Sequence, residues 1–298
     1  MARALDLMTD DEPFYGHKAC AGCGGALAVR IALKVLGPRA VAILPAGCMS
    51  AVGFNFPQLA FGCNAMISTF AGTASLMSGV AAGLARKGEK DFCVVGFAGD
   101  GGTADIGIQA LSGAIDRGDD ILYICYDNEA YMNTGIQQSS LTPFGASTTT
   151  SPVDADGHAT LTHKKDMFRI VRAMGAPYVA TASVGYLDDY ATKVAKAAKI
   201  RGTKYIHVLA PCSTGWGTAV DATVDLARDA VDTGLWYLAE SENGKVTVNR
   251  DPRKKTGTFA DVEHYLKSQR RFKHMGPEDI ETVKAHRDAT WELLDALS

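Results

Sequence analysis

The sequence predicts an α/β protein with a mostly parallel sheet and helices on both of its faces. Two observations carry this prediction. Short hydrophobic runs alternate with segments of helical periodicity, which is the pattern of parallel strands joined by crossover helices. One of these runs, at 92–97, leads into a Gly-Asp-Gly-Gly turn at 99–102, and a helical pattern follows at once, as in a phosphate-binding turn.

Composition limits the classes of function. The chain has 298 residues, which is enough for one large domain or two smaller ones. A net charge of −3 gives no reason to expect a nucleic-acid partner. No apolar run approaches the roughly 20 residues of a membrane span, and the N-terminus lacks the apolar stretch of a signal peptide, so we expect a cytoplasmic protein. Seven cysteines, an odd number, favour thiols or metal ligands over a disulfide framework.

The first third of the chain predicts two helices and one strand. Residues 26–36 have helical spacing and stop at a Gly-Pro pair, a short buried strand is expected at 41–45, and small residues predict a closely packed helix at 69–84. Between the last two lies an aromatic segment. We interpret its phenylalanines as core residues, with a pocket as the alternative: Phe54, Phe56 and Phe61.

The central unit consists of a strand at 92–97, a helix from about 103 to 116 and a strand at 121–126. The apolar face of this helix is expected to comprise Ile106, Leu111, Ala114 and Ile115.

Residues 129–163 have no clear period, and a polar segment of this length is more often a functional loop than an ordinary connection. The β–α alternation then resumes, with helices at 164–174 and 186–200 and strands at 178–180 and 205–209. We predict a domain at 1–215, followed by an extension at 216–298 that packs on the domain or on partner subunits.

Polar residues follow two consecutive strands of the predicted sheet. Asp100 lies among the glycines of the turn, and 26 residues, about one helix plus one strand, separate Gly101 from Asn128. Parallel strands would bring both side chains to one carboxyl edge. A carboxylate would repel a phosphate, so we expect a divalent cation, Mg²⁺ or Ca²⁺, held by Asp100, Asn128 and the carbonyl of Ala130. A purely structural turn is the alternative, since turns favour these residue types.

Four cysteines are predicted at the same edge. Cys20 and Cys23 form a C-x-x-C in a Gly-rich loop before the first helix, while Cys48 and Cys212 follow predicted strands. Four converging thiols fit either zinc or a [4Fe–4S] cluster, and the residue pattern leaves both open. A dithiol redox pair is a third possibility, but it gives Cys48 and Cys212 no role.

Five ordered motifs carry a resemblance to a known family. They are Gly16-His-x-Ala-Cys20-x-Gly-Cys23-Gly, Gly47-Cys48, Gly99-Asp-Gly-Gly-Thr-Ala-Asp-Ile-Gly107, Tyr126-Asp-Asn-Glu-Ala-Tyr-Met-Asn-Thr-Gly135 and His207-Val-Leu-Ala-Pro-Cys212. Together they resemble the β subunit of 2-oxoacid:ferredoxin (acceptor) oxidoreductases, of which pyruvate:ferredoxin oxidoreductase is the best-known member. The similarity runs from about residue 14 to Trp216.

The resemblance implies a thiamine-diphosphate-binding fold that carries the diphosphate (PP) half of the cofactor site. It places thiamine diphosphate near Gly99, Asp100, Gly101, Gly102, Thr103, Asn128, Ala130 and Cys48. It implies Mg²⁺ ligands at Asp100, Asn128 and Ala130. It selects iron–sulfur over zinc, with [4Fe–4S] ligands at Cys20, Cys23, Cys48 and Cys212. The position that approaches the thiazolium and the substrate, which we take as catalytic, is Asn133.

The activity that the resemblance implies is thiamine-dependent oxidative decarboxylation of a 2-oxoacid to acyl-CoA and CO₂. Electrons would pass to the [4Fe–4S] cluster and then to ferredoxin or another acceptor. In this family an α-type subunit supplies the pyrimidine half-site and its catalytic glutamate, for which this chain offers no candidate. We therefore expect the chain to be inactive alone, in a complex that also contains γ-type and ferredoxin-like δ-type subunits and binds CoA.

Residues 49–57 depart from the family pattern. Members specific for pyruvate commonly carry an acidic stretch and a Trp here, and this chain has neither. The substrate is thus left open between pyruvate and a bulkier acid such as phenylglyoxylate or a branched-chain acid. Two other functions stand as alternatives: a non-oxidative thiamine-diphosphate decarboxylase or synthase subunit, and a non-catalytic zinc-bound structural subunit.

Overall fold

An eight-stranded, mostly parallel sheet with helices on both faces forms the centre of the protein, and this confirms the predicted α/β class. The computed structural model describes residues 3–298, apart from the side chains of residues 255 and 256. Residues 1 and 2 of the predicted 1–215 domain lie outside the described residues. No helix among the described residues is both long and apolar enough to cross a bilayer.

The elements follow one another in a repeating β–α order. The strands are β1 (Ala40–Pro45), β2 (Phe54–Asn55), β3 (Gln58–Leu59), β4 (Asn64–Ser68), β5 (Cys93–Gly99), β6 (Ile121–Asp127), β7 (Tyr178–Ser183), β8 (Thr203–Leu209), β9 (Leu238–Glu242) and β10 (Lys245–Arg250). The helices are α1 (Ala4–Leu7), α2 (Gly24–Leu36), α3 (Cys48–Gly53), α4 (Thr73–Arg86), α5 (Asp100–Ala104), α6 (Ile108–Arg117), α7 (Met167–Ala173), α8 (Leu187–Ala197), α9 (Ser213–Trp216), α10 (Thr223–Asp232), α11 (Arg253–Thr256), α12 (Val262–Lys267) and α13 (Pro277–Leu297).

The order of the strands places four functional loops side by side. The sheet runs β10-β9-β7-β8-β6-β5-β1-β4, and the six strands from β7 to β4 are parallel. Thus β8, β6, β5 and β1 are neighbours, and their carboxyl ends lie at one edge. Register keeps these ends level, because Gly99 of β5 pairs with Tyr126 of β6 and Asp127 of β6 pairs with Leu209 of β8.

Side chains alternate between two cores, as the pleat of a strand requires. In β6, Leu122 and Ile124 face the core under α2 and α8, whereas Tyr123 and Cys125 face the core under α4, α6 and α7. Both sides of β6 are buried, which explains why its sequence is a continuous apolar run rather than an alternating one.

The tail beyond residue 216 contributes to the sheet itself. Its β9 pairs antiparallel with β7, and β10 pairs with β9. Trp236 is buried against β7 and donates a hydrogen bond from Nε1 to the Ala182 carbonyl (2.8 Å). The tail ends in α13, in which Trp291 donates to the Gly234 carbonyl (2.8 Å). The division at residue 215 stays a prediction.

Two local predictions were wrong. The helix expected from 103 to 116 is divided into α5 and α6, because Asp105 turns its carboxylate to the Tyr131 hydroxyl (2.7 Å), and Ile106 is 44% exposed instead of buried. Phe56 was expected in the core, but it lies at the tip of the β2–β3 hairpin and is 97% exposed. The periodicity of a short segment does not predict such turns, since they depend on contacts with loops that are distant in the sequence.

Candidate active site

A cavity opens at the carboxyl edge of the sheet, where β1, β5 and β6 end. Eight of the residues predicted for the site line it: Cys48, Gly99, Asp100, Gly101, Gly102, Asn128, Ala130 and Asn133. Thr103 does not line the cavity. Its buried hydroxyl donates to the Gly99 carbonyl (2.8 Å), so its side chain is engaged within the protein.

The three predicted cation ligands converge. One atom of the Asn128 side-chain amide lies 2.9 Å from Asp100 Oδ1 and 3.0 Å from the Ala130 carbonyl oxygen. With nitrogen in that position, the amide donates to both oxygens. With oxygen in that position, three oxygens meet with no hydrogen between them, which is a donor set suited to a hard divalent cation. Rotation of one amide therefore converts a hydrogen-bonded set into a cation-ligating set.

Asp100 is held in place by a loop that the sequence did not connect with it. Its side chain is 1% exposed, and Ser139 of the long polar segment donates its hydroxyl to Asp100 Oδ2. Burial, and next the charge of nearby Asp127, raise the pKa of Asp100 well above its usual range. A buried carboxylate of this kind is costly without a partner, and a bound cation would stabilise its charged form.

The Gly-rich turn has the shape of a cradle. A Cβ added to Gly101 would lie 2.2 Å from Tyr131 Cε1, and one added to Gly102 would lie 3.1 Å from Phe70 Cε2. Both glycines line the cavity, so their backbones can approach a ligand that any larger residue would keep at a distance. This close approach fits a diphosphate bound through backbone amides.

The four predicted cysteines are brought together beside this cavity. Cys23 and Cys212 form an isolated β-bridge, and the Gly24 amide donates to the Pro211 carbonyl (3.1 Å). A Cβ on Gly24 would lie 2.7 Å from the carbonyl carbon of Ala210, so glycine is required for the two loops to meet. The first loop is thereby fixed against the end of β8.

The thiols lie close enough to one another to raise each other's pKa. Burial, and next the neighbouring thiols, raise the pKa of Cys48 to about 12, and the pKa of Cys23 is raised for similar reasons. Backbone amides already point at sulfur, since Ala26 donates to Cys23 Sγ (3.4 Å) and Gly215 donates to Cys212 Sγ (3.3 Å). Buried thiols of this kind favour a bound metal, which holds thiolates that burial alone disfavours.

The proximity of the four thiols is relevant to metal binding. Among residues 3–298, no group of three or more His, Cys, Asp or Glu side chains is arranged to hold a single metal ion. The four thiols nevertheless lie close enough to perturb each other electrostatically. This proximity fits either zinc or a [4Fe–4S] cluster, as the residue pattern predicts.

Tyr126 lies between the cysteines and the Gly-rich turn, a role that no sequence pattern predicted. Its buried ring lies between three glycine backbones, since Cβ atoms on Gly25, Gly47 and Gly99 would each come within 3.4–3.6 Å of it. Gly25 lies at the start of α2 next to Cys23, Gly47 directly precedes Cys48, and Gly99 begins the Gly-rich turn at 99–102. The ring of Tyr126 therefore sets the spacing between the cysteines and the turn.

Two further features define the limits of the cavity. Asn133 lies at its exposed side, where a second molecule or subunit can reach it. No glutamate is among the described residues that line the cavity. The departing segment 49–57 is not among the residues that line this cavity, although it directly follows Cys48, which does line it.

A second cavity lies under the tail, lined by aromatic side chains that include Phe144 and Trp236 and by charged ones that include Glu129, Lys164 and Arg271. None of the predicted site residues and no cysteine is among the described residues that line it. The predicted chemistry thus concentrates in the cavity at the sheet edge.

Comparisons with known proteins show the family of the chain. Residues 45–208 match the family model for the thiamine pyrophosphate enzyme, C-terminal TPP binding domain. The pyruvate synthase subunit PorB of Methanothermobacter thermautotrophicus is 48% identical over 279 residues, covering 94% of this chain and 96% of that protein. The ketoisovalerate oxidoreductase subunit VorB of Pyrococcus abyssi is 45% identical over 302 residues, covering 99% of this chain and 96% of that protein.

A solved structure shares the fold. The 2-oxoglutarate:ferredoxin oxidoreductase from Magnetococcus marinus, with 2-oxoglutarate, coenzyme A and succinyl-CoA bound, has a TM-score of 0.56 to this chain. Identity is 21%, and the match covers 76% of this chain and 80% of that chain.

Proposed function

Since this chain belongs to the thiamine pyrophosphate-binding subunits of 2-oxoacid oxidoreductases, we propose that its sheet-edge cavity binds the diphosphate of the cofactor together with Mg²⁺. The chain is thus a subunit of an oxidoreductase that acts on 2-oxoacids. The convergence of Asp100, Asn128 and Ala130 oxygens is the single observation that carries the cation assignment. Both relatives are oxidoreductase subunits, which favours this function over a non-oxidative enzyme or a structural subunit.

We propose that the four cysteines, Cys20, Cys23, Cys48 and Cys212, hold a [4Fe–4S] cluster. Their proximity, the amides directed at sulfur and the oxidoreductase relatives support this cluster. When bound, thiamine diphosphate supplies an electron sink for decarboxylation and the cluster supplies a one-electron acceptor.

The residues of this chain would then act by binding and positioning. Gly101 and Gly102 let the backbone approach the diphosphate, and Asp100 places negative charge where the cation binds. Cys48 lines the same cavity, so electron transfer would cross a short distance. Asn133, at the exposed side of the cavity, is placed to orient a substrate.

The cavity is half a site. It contains no glutamate among its described lining residues, which supports the proposal that a partner subunit of the α type supplies the group that activates the aminopyrimidine. We propose that γ-type and ferredoxin-like δ-type subunits complete the complex, and that CoA accepts the acyl group. The relatives act on pyruvate and on ketoisovalerate, so these two acids are the first candidates for the substrate.

The test is purification of the native complex under anaerobic conditions, followed by analysis of iron, sulfide, magnesium and thiamine. Reduction of a low-potential acceptor is then measured with CoA and a panel that includes pyruvate, 2-oxoisovalerate, 2-oxoglutarate and phenylglyoxylate. We expect CoA-dependent reduction with at least one acid. The proposal fails if no acid reduces the acceptor in a complex that contains thiamine and iron.

A further inference from the structure

Glu129 lies between two of the proposed Mg²⁺ ligands and has an unusual backbone. Its φ of 70° is in the left-handed region, which residues other than glycine seldom adopt. The direction of the Asn128 side chain and of the Ala130 carbonyl depends on this turn. A strained conformation persists only where the surrounding structure holds it, so the contacts of Glu129 decide whether the two ligands face Asp100.

Every polar atom of Glu129 has a partner within the protein. The Glu129 amide donates to Asp127 Oδ1 (2.9 Å), and Thr142 donates its hydroxyl to the Glu129 carbonyl (2.9 Å). The carboxylate accepts from two cations, from Lys164 Nζ at Oε1 (2.6 Å) and from Arg271 Nη2 at Oε2 (2.5 Å). Glu129 and Arg271 are both buried, so this ion pair is shielded from solvent.

Arg271 comes from the tail, 142 residues further along the chain. Buried Gln269 accepts from its Nε (3.0 Å) and Nη2 (2.8 Å) and so fixes the guanidinium. The guanidinium also lies 4.0 Å from the centre of the Trp216 ring. Trp216 in turn donates from Nε1 to the Asn128 carbonyl (2.9 Å). Arg271 therefore supports the segment from Asn128 to Ala130 twice, through Glu129 and through Trp216.

We propose that Arg271 and Lys164 are positioning residues that clamp Glu129 and thereby fix Asn128 and Ala130 for the cation. This inference rests on the proposed function, since it assigns a role toward the proposed Mg²⁺. It also gives the tail a function, because Arg271 lies outside the predicted cofactor domain. Removal of residues that orient metal ligands typically weakens metal binding by about 10–100-fold.

The matched control is another buried ion pair, remote from the cavity. Lys193 donates to Asp189 Oδ2 (2.7 Å) and to the Thr181 carbonyl (2.8 Å), and it is as buried as Arg271. Loss of Lys193 leaves the buried Asp189 carboxylate without its cation, and loss of Arg271 leaves Glu129 with Lys164 alone, so both changes lower stability. Only loss of Arg271 is expected to change the affinity for the cation.

The experiment uses the assembled complex stripped of Mg²⁺ and thiamine diphosphate. Isothermal titration calorimetry measures Mg²⁺ binding at a fixed, saturating concentration of thiamine diphosphate. Thermal unfolding is recorded for each variant. We expect Arg271→Met to weaken Mg²⁺ binding about 10–100-fold. Arg271→Lys should fall between, since lysine keeps the charge but lacks the planar fork. Lys193→Met should lower the unfolding temperature with unchanged Mg²⁺ affinity.

A second variant protects the test against misfolding. Glu129→Gly tolerates the left-handed backbone but removes the carboxylate that the cations hold, and we expect the same loss of Mg²⁺ affinity. Wild-type affinity in Arg271→Met or in Glu129→Gly would overturn the clamp, as would an equal loss in Lys193→Met. If the wild-type complex itself binds neither Mg²⁺ nor the diphosphate, the proposed function has failed instead.

Discussion

Substitution of Gly101 by alanine tests whether the Gly-rich turn at 99–102 requires glycine for the close approach of a ligand. Gly101 has no positive φ, so the backbone itself accepts alanine. The new Cβ would lie 2.2 Å from Tyr131 Cε1 and 2.4 Å from Cζ, distances that no real packing allows. Tyr131 would have to move, although its hydroxyl donates to Asp105 Oδ2 (2.7 Å).

The size of the effect follows from two opposing terms. Overpacking of this kind costs about 1–3 kcal/mol. Alanine in place of glycine within a helix returns about 0.5–1 kcal/mol. We therefore expect Gly101→Ala to lower the free energy of unfolding by up to about 2.5 kcal/mol. Because Tyr131 lines the cavity, the affinity for thiamine diphosphate should also fall, by about tenfold or more.

The assays are thermal unfolding and equilibrium binding of thiamine diphosphate with Mg²⁺, both on the purified complex. Gly83→Ala is the control, since Gly83 is also helical and a Cβ there would meet nothing within 4 Å. We expect the control to keep its affinity and to gain about 0.5–1 kcal/mol of stability. Wild-type affinity and stability in Gly101→Ala would refute the cradle.

Three further predictions follow from individual contacts. Cys48→Ala should abolish the cluster signal in electron paramagnetic resonance while thiamine diphosphate still binds; an unchanged spectrum removes Cys48 from the ligands. Trp216→Phe removes the donor to the Asn128 carbonyl and should cost about 1–3 kcal/mol in denaturant unfolding, and equal stability would contradict this. Burial opposes ionisation of Asp127, yet Lys164 lowers the pKa of Asp127 to about 2. Because this pKa is lowered in the folded state, Asp127 contributes about 2 kcal/mol of stability above pH 4, and this contribution is lost as the pH falls toward 2. In Asp127→Asn the free energy of unfolding should therefore fall less between pH 4 and pH 2 than in the wild type, and an equal fall would disprove the assignment.

Local patterns in the sequence were sufficient for the class of fold and for the position of several candidate site residues at the sheet edge. Hydrophobic runs predicted the parallel strands, and residues directly after a run had to lie at the carboxyl edge. This reasoning placed Asp100, Asn128 and Cys48 correctly, because position relative to a strand end is a local property. The motif resemblance added the identity of the family, which the relatives confirm.

Only the tertiary structure decided which strands are neighbours and what supports the ligands. The order β8-β6-β5-β1 brings Cys212 to the loop of Cys23, and no local period specifies that order. The hydroxyl of Ser139 on Asp100 and the guanidinium of Arg271 on Glu129 join residues 39 and 142 positions apart. Such contacts arise from the packing of a polar loop and a tail against the sheet, and packing depends on the whole chain rather than on neighbouring residues.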